Sequence, residues 1–361
     1  MKLCLYILKI SNGGAERCAI SIANHMANAG HEVDLVCSLK DDDMNLSDID
    51  PKVNFIKLKD VEIKNIFTRF TSNIARKLEL DKYFRQNKPD ILFYMVYPFI
   101  LNIVKFPKKM IVIGSDRGNP AEYTHRSYVR RRKKLLKRTD ALIFQTERAS
   151  NFFKDLDIKK TVIPNAIYNS SVYTADCNAE KENSICAAGR FVYEKDYPTL
   201  LKAFSLVQKK HPEVVLKIFG TGELKTEIED LIASLNLVDS VKLMGRIKNV
   251  PEEIVKSKCY VLSSISEGMP NALIEAMAVG MPCVATDCPN GPAELIKNNE
   301  NGLLVPIKST ELLAEAILKM LDDVEFAKKC GENAIKIRET NRIDIINDQY
   351  LNFIESVEKR K

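Results

Sequence analysis

Two carboxylates, Glu267 and Glu275, are separated by seven residues in the stretch Ser266-Glu267-Gly268-Met269-Pro270-Asn271-Ala272-Leu273-Ile274-Glu275-Ala276-Met277-Ala278. Gly268 and Pro270 make a turn. The residues after it predict a helix from about Ala272, with Glu275 in its first turn. The first N–H groups of a helix lack intrahelical acceptors and favour an anion, so the backbone of Asn271, Ala272, Leu273 and Ile274 can meet one. Carboxylates flanking an anion site suit a ligand with phosphate in its middle and hydroxyls at both ends. A nucleotide-sugar has that form. An acid near a helix start also occurs on ordinary surface helices, where it complements the macrodipole. The context here is more specific: Gly280-Met281-Pro282 stops the helix, and Cys283-Val284-Ala285-Thr286 reads as a buried strand.

Two cations stand upstream in Ala188-Gly189-Arg190-Phe191-Val192-Tyr193-Glu194-Lys195. Gly189 permits a turn after a strand. Arg190 offers phosphate a planar fork and Lys195 a point charge. Together they could neutralise a diphosphate without a metal ion, although isolated Lys and Arg side chains are usually just exposed. Gly220-Thr221-Gly222 and Gly245-Arg246 follow two further apolar runs. Gly13-Gly14-Ala15-Glu16 follows the first, and its glycines let the backbone approach a ligand or simply turn a strand into a helix. None of these is the G-x-G-x-x-G of a dinucleotide site.

The segment Gly114-Ser115-Asp116-Arg117 ends another strand-like run. Asp116 and Arg117 are candidates to face a ligand, or to form a structural ion pair. A basic run, Arg130-Arg131-Arg132-Lys133-Lys134, lies on an expected helix. It reads either as a solvated charged face or as a patch for anionic lipid headgroups. Sparse aromatic residues and no recognisable nucleic-acid module argue against DNA or RNA. The four histidines are scattered, which predicts no metal cluster.

The Glu267–Ala278 stretch resembles the Glu-x7-Glu signature of family 4 glycosyltransferases, because the glycine, the proline and the small helix residues agree along with both acids. The resemblance covers most of the chain, most strongly from Gly189 to Pro306. It implies a retaining enzyme of the GT-B fold, with two facing Rossmann-like domains and a cleft between them. It further implies that Arg190 and Lys195 bind the pyrophosphate of the donor, Glu267 the transferred sugar and Glu275 the ribose. Gly13, Gly14 and Glu16 match its donor-facing loop, Gly189 the glycine of its Gly-Arg…Lys motif, Gly220 its Gly-x-Gly loop where backbone approaches the nucleotide, and Arg246 its base-cupping loop. The family most often uses UDP-sugars. No Asp-x-Asp stands at a strand end in this chain, Asp41-Asp42-Asp43 sits in a polar loop before Met44, and Arg190 and Lys195 can supply the positive charge, so no metal cofactor is expected. Many members place a histidine near Asp116. None is transferred here, since the nearest, His125, lies beyond a proline turn. A non-catalytic nucleotide-sugar-binding module would use the same residues. An oxidoreductase lacks its glycine fingerprint.

These residues need a frame to hold them. Ten near-continuous apolar runs alternate with helical stretches, five in each half of the 361 residues. That pattern predicts α/β architecture with parallel sheets covered on both faces. The expected parts are a first domain over 1–165, a polar linker over 166–183, a second domain over 184–340, and a terminal helix over 341–361. By the resemblance, that helix crosses back to the first domain.

Charge is uneven. Residues 1–165 carry 30 Lys and Arg against 19 Asp and Glu, the rest 24 against 29. No apolar run reaches the length of a membrane span, and the opening Met1–Ile10 reads as a strand and not a signal peptide. Nine cysteines, odd in number and without a C-x-x-C pair, predict free thiols in a reducing, cytoplasmic compartment. The expected partners are a nucleotide-sugar and a glycan or polyprenyl-linked acceptor, in assembly of a surface polysaccharide such as capsule or lipopolysaccharide. The inner membrane surface is a further expected partner.

Overall fold

The computed structural model describes residues 1–10, 13–40, 46–59, 66–95, 104–120 and 126–358, with the side chains of Lys40 and residues 66–71 left aside. Both sequence halves form parallel sheets. The chain divides into two compact units, Met1–Tyr168 with Ile343–Lys361, and Asn169–Arg342.

The first unit holds strands β1 Lys2–Ile10, β2 Glu32–Lys40, β3 Val53–Lys57, β4 Ile91–Met95, β5 Ile111–Asp116, β6 Ala141–Phe144 and β7 Lys159–Val162, in the order β3-β2-β1-β4-β5-β6-β7. The second holds β8 Ser184–Ala188, β9 Val215–Phe219, β10 Val241–Gly245, β11 Cys259–Leu262, β12 Cys283–Thr286 and β13 Leu303–Val305, in the order β10-β9-β8-β11-β12-β13. Every pairing is parallel, so each crossover needs a covering segment. These are Rossmann-type, doubly wound orders.

Side-chain alternation explains why the sheet is covered on both faces. Along β1, Leu3, Leu5 and Ile7 enter one core with the helix Gly14–Asn28, while Cys4 and Tyr6 enter another with Leu80, Tyr83 and Phe84. A third buried cluster fills one face of the other sheet, built on Ile185, Leu216, Ile218 and Val261.

The terminal helix Ile343–Glu358 belongs to the first unit. Its buried Ile346, Tyr350, Ile354 and Val357 fall on one helical stripe and join the same core as β1. Asn347 Nδ2 also donates to Ser21 Oγ at 2.8 Å. Residues 166–183 include a short helix, Ser171–Thr174, and buried Ala166, Ile167 and Val172. Among the described residues no helix is long and apolar enough to cross a membrane, and all nine cysteines are free thiols.

Candidate functional site

Strand β8 has β9 on one side and β11 on the other, so the winding reverses between β8 and β11. In open parallel sheets a ligand sits outside the carboxyl ends of the strands at such a reversal. β8 runs there into Gly189-Arg190, and β11 into Ser263-Ser264-Ile265-Ser266-Glu267. Topology therefore brings Arg190, Lys195 and Glu267 to one strand-end region.

Lys195 Nζ donates to Glu267 Oε1 at 2.5 Å, with the two side chains only 19% and 11% exposed. The expectation that Lys195 waits for phosphate and Glu267 for a sugar therefore needs amending. Without a ligand the two charges satisfy each other, because screening is weak in a mostly buried position. The segment after β11 frames this pair. Ser264 Oγ donates to Glu267 Oε1 at 2.7 Å, Ser263 Oγ to the Lys195 carbonyl at 2.7 Å, and the Ile265 N–H to the Glu194 carbonyl at 2.8 Å. Thr286 Oγ1, on β12, donates to the Ser264 carbonyl at 2.5 Å. Nearby, burial pushes the Cys288 thiol up to about 12, with Glu267 adding to the rise and Lys195 opposing it. Arg190 is exposed and has no side-chain hydrogen bond or ion pair among the described residues.

The glycines do more for loop packing than their expected ligand role suggests. Gly220 has φ +149°, and a Cβ there would overlap the Gly189 carbonyl oxygen. A Cβ on Gly222 would overlap the Phe191 backbone. The Phe191 N–H donates to the Thr221 carbonyl at 2.9 Å, and the Gly189 N–H to the Phe219 carbonyl at 2.9 Å. The loop carrying Arg190 is thus laid directly on the loop after β9. Lys195 crosses Gly189, where a Cβ would stand 3.2 Å from its Cε. Arg246 is exposed, after Gly245 at φ +68°.

The helix after Glu267 spans Asn271–Ala278, with Pro270 at its N-cap. It starts earlier than its sequence suggests, so Glu275 lies in the second turn and not the first. Leu273 and Ile274 are corrected as donor contacts. Their side chains are fully buried, and both N–H groups close on the Pro270 carbonyl at 3.1 Å. The Ala272 N–H makes no hydrogen bond among the described residues. Asn271, Ala272 and Glu275 are half-buried. The loop of Asn290 and Gly291, both at positive φ, presses on the turn before this helix. A Cβ on Gly291 would come within 2.6 Å of Pro270 Cδ and 3.1 Å of the Gly268 carbonyl oxygen.

In the first unit, Gly13 caps the helix Gly14–Asn28, and the Glu16 carboxylate folds back over it. This end follows β1, beside the β1–β4 reversal.

Asp116 is corrected as a ligand-facing candidate. Its Oδ2 accepts from Arg132 Nη2 at 2.7 Å and from Nε at 3.3 Å, with both side chains 3% exposed. Tyr94 Oη lies buried against Gly114 with no hydrogen-bond partner among the described residues, and burial, reinforced by Asp116, raises its pKa against the opposing effect of Arg132. Arg117 is likewise built into the structure. It donates to Tyr350 Oη at 3.1 Å, to Cys18 Sγ at 3.2 Å and to Asn165 Oδ1, joining the terminal helix to the first helix. Burial opposes its charge, but Cys18, Tyr350 and Tyr168 keep its pKa raised. His125 and Asp41-Asp42-Asp43 lie outside the described residues.

The basic run divides on the helix Arg126–Leu136. Arg130, Arg131 and Lys134 are exposed. Lys133 is half-buried, with Nζ 2.7 Å from Asp155 Oδ1 and over the Phe152 ring. Arg132 is buried on Asp116 and cannot belong to a surface patch. Its position one helical residue from exposed arginines concealed this in the sequence.

Ser263, Ser264 and Thr286 are the residues that sequence reasoning missed. Their signal was a pair of serines ending a wholly apolar strand, where a buried hydroxyl must find an acceptor. Among the described residues no three His, Cys, Asp or Glu side chains gather in a way that could hold a metal ion.

Comparison with known proteins agrees with this architecture over nearly the whole chain. The family described as Glycosyltransferase Family 4 matches residues 12–169, and that described as Glycosyl transferases group 1 matches 176–337. The GalNAc-alpha-(1->4)-GalNAc-alpha-(1->3)-diNAcBac-PP-undecaprenol alpha-1,4-N-acetyl-D-galactosaminyltransferase of Campylobacter jejuni is 26% identical over 362 residues, covering 99% of each chain. Exopolysaccharide phosphotransferase SCO2592 of Streptomyces coelicolor is 34% identical over 227 residues, which cover 61% of this chain but 24% of that protein. Among solved structures, Anabaena Alr3699/HepE in complex with UDP and glucose superposes with a TM-score of 0.77 at 18% identity, over 99% of this chain and 100% of that one. With two Rossmann-like units of the GT-B type and both family descriptions matched in order, the chain belongs to glycosyltransferase family 4.

Proposed function

We propose that this glycosyltransferase moves a hexosyl or N-acetylhexosaminyl group from a UDP-sugar to a lipid-linked glycan, with retention of configuration, in polysaccharide biosynthesis. The observation that carries the reading is Lys195, Glu267 and exposed Arg190 gathered at the strand-end reversal of the second sheet. Support for the donor comes from the UDP and glucose in the Anabaena structure. Support for the acceptor comes from the undecaprenol-linked glycan in the name of the Campylobacter relative.

As the sugar–phosphate bond breaks, negative charge collects on the nucleoside diphosphate. Arg190 and Lys195 stabilise that charge more in the transition state than in the ground state, which is what accelerates the step. To do so Lys195 exchanges Glu267 for phosphate, and the released carboxylate turns to sugar hydroxyls. Glu275 takes the ribose, and a donor phosphate oxygen takes the acceptor proton. Proton NMR of the fresh product tests the stereochemistry. The donor's anomeric configuration should persist, and an inverted product contradicts the retaining assignment.

Two cations in place of a divalent ion predict metal independence. Turnover should survive excess EDTA, whereas loss with EDTA and rescue by manganese would contradict this reading of the phosphate site.

A lipid-linked acceptor places the enzyme at the cytoplasmic face of a membrane, and the exposed face Arg130, Arg131 and Lys134 fits its anionic headgroups. Each basic residue near such a surface contributes about 1 kcal/mol, screened by salt. The triple change Arg130→Gln, Arg131→Gln and Lys134→Gln should weaken sedimentation with anionic vesicles at low salt about a hundredfold. Unchanged sedimentation would make this a solvated helix face only.

A further inference from the structure

Glu267 is held in an unequal way. Both its hydrogen bonds, from Lys195 Nζ at 2.5 Å and Ser264 Oγ at 2.7 Å, arrive on Oε1. Among the described residues Oε2 accepts none, and the side chain keeps 11% of its exposure. Ser264 itself is completely buried, and its carbonyl takes the Thr286 hydroxyl at 2.5 Å. Thr286, also fully buried, has its second acceptor at the Leu262 carbonyl, 3.3 Å away. A chain of two hydroxyls thus runs from β12, through the loop after β11, to one oxygen of the carboxylate.

We infer that Ser264 is a positioning residue for Glu267, holding Oε1 so that Oε2 is presented to a hydroxyl of the transferred sugar. Its importance grows when the donor binds. Lys195 then leaves Glu267 for phosphate, and among the described residues the Ser264 hydroxyl becomes the remaining partner that fixes the carboxylate's rotamer. A carboxylate free to rotate would meet the sugar in fewer productive complexes, which lowers turnover more than affinity for the nucleotide. Ser263 differs, because its hydroxyl serves the Lys195 carbonyl and not the carboxylate. This inference rests on Glu267 acting at the donor sugar.

The test is a double-mutant cycle on the full chain with a UDP-sugar it turns over, with kcat and KM separated and UDP affinity measured by calorimetry. Ser264→Ala should lower kcat about ten- to a hundredfold, the worth of a hydrogen bond to a charged group, with UDP affinity within about twofold. Ser264→Thr, which keeps the hydroxyl, should recover most of the loss. In a Glu267→Ala background Ser264→Ala should change kcat little, since it acts only through that carboxylate. Additive losses in the cycle, or full activity of Ser264→Ala beside a crippled Glu267→Ala, would overturn the inference. An active Glu267→Ala would instead overturn the role of Glu267 on which it rests. Thermal unfolding of each variant accompanies the kinetics. If Ser264→Ala unfolds, the Ser264→Thr and Ser264→Cys pair supplies the comparison, with Thr expected to be the more active and equal activities counting against the inference.

Discussion

Replacing Arg190 by Ala is expected to lower kcat/KM about ten- to a hundredfold while leaving stability within about 0.5 kcal/mol. The two halves of this expectation have one cause. Arg190 is exposed and has no protein partner among the described residues, so the fold loses nothing that the guanidinium supplied. The developing charge on the diphosphate loses a planar donor. Lys195→Ala should damage turnover similarly but behave differently in unfolding. It leaves Glu267, 11% exposed, with the Ser264 hydroxyl as its one hydrogen-bond donor among the described residues, and should cost about 1–3 kcal/mol. Steady-state kinetics and urea unfolding of both variants separate the cases. A double variant with near wild-type turnover contradicts the assignment.

Asp116→Ala is expected to have the largest effect on stability, a loss of about 3–5 kcal/mol, because it removes the carboxylate that Arg132 faces at 2.7 Å in a position 3% exposed. Adding Arg132→Leu should recover much of the loss, since an apolar residue needs no counter-charge there. Urea unfolding of the single and double variants measures this directly. A stable Asp116→Ala with impaired turnover would return Asp116 to the ligand-facing role that its strand-end position suggests.

Asp116 also shows where sequence reading reaches its limit. A carboxylate at the end of a parallel strand has the right address for a ligand residue. Its partner lies sixteen residues on, within five consecutive basic residues that read as a surface. Arg117 misleads in the same way, because its acceptor Tyr350 is 233 residues away. Such pairings depend on tertiary placement and leave no local pattern.

The strands divide on similar lines. Interior strands β4, β8 and β11 are wholly buried, β1 is buried over residues 3–7, and all four announce themselves as apolar runs. Strands β3, β7 and β13 are edges of their sheets and were not foreseen. β7 is Lys159-Lys160-Thr161-Val162, half-buried throughout, and β13 has three residues. An edge strand needs less apolar surface, so its period is weak. At the site, residue types and spacing identified Arg190, Lys195 and Glu267, but not that Lys195 and Glu267 hold each other across 72 residues.

The central claim is that the strand-end site of the second unit carries a nucleotide-sugar through group transfer. Incubating the full chain with a panel of UDP-, GDP- and ADP-sugars, with and without a polyprenyl-linked glycan, and measuring released nucleoside diphosphate tests it most directly. The account predicts release from a UDP-sugar that rises with acceptor and falls about ten- to a hundredfold in Arg190→Ala. Saturable binding of these donors without release, under any acceptor, would contradict it and make the chain a binding module.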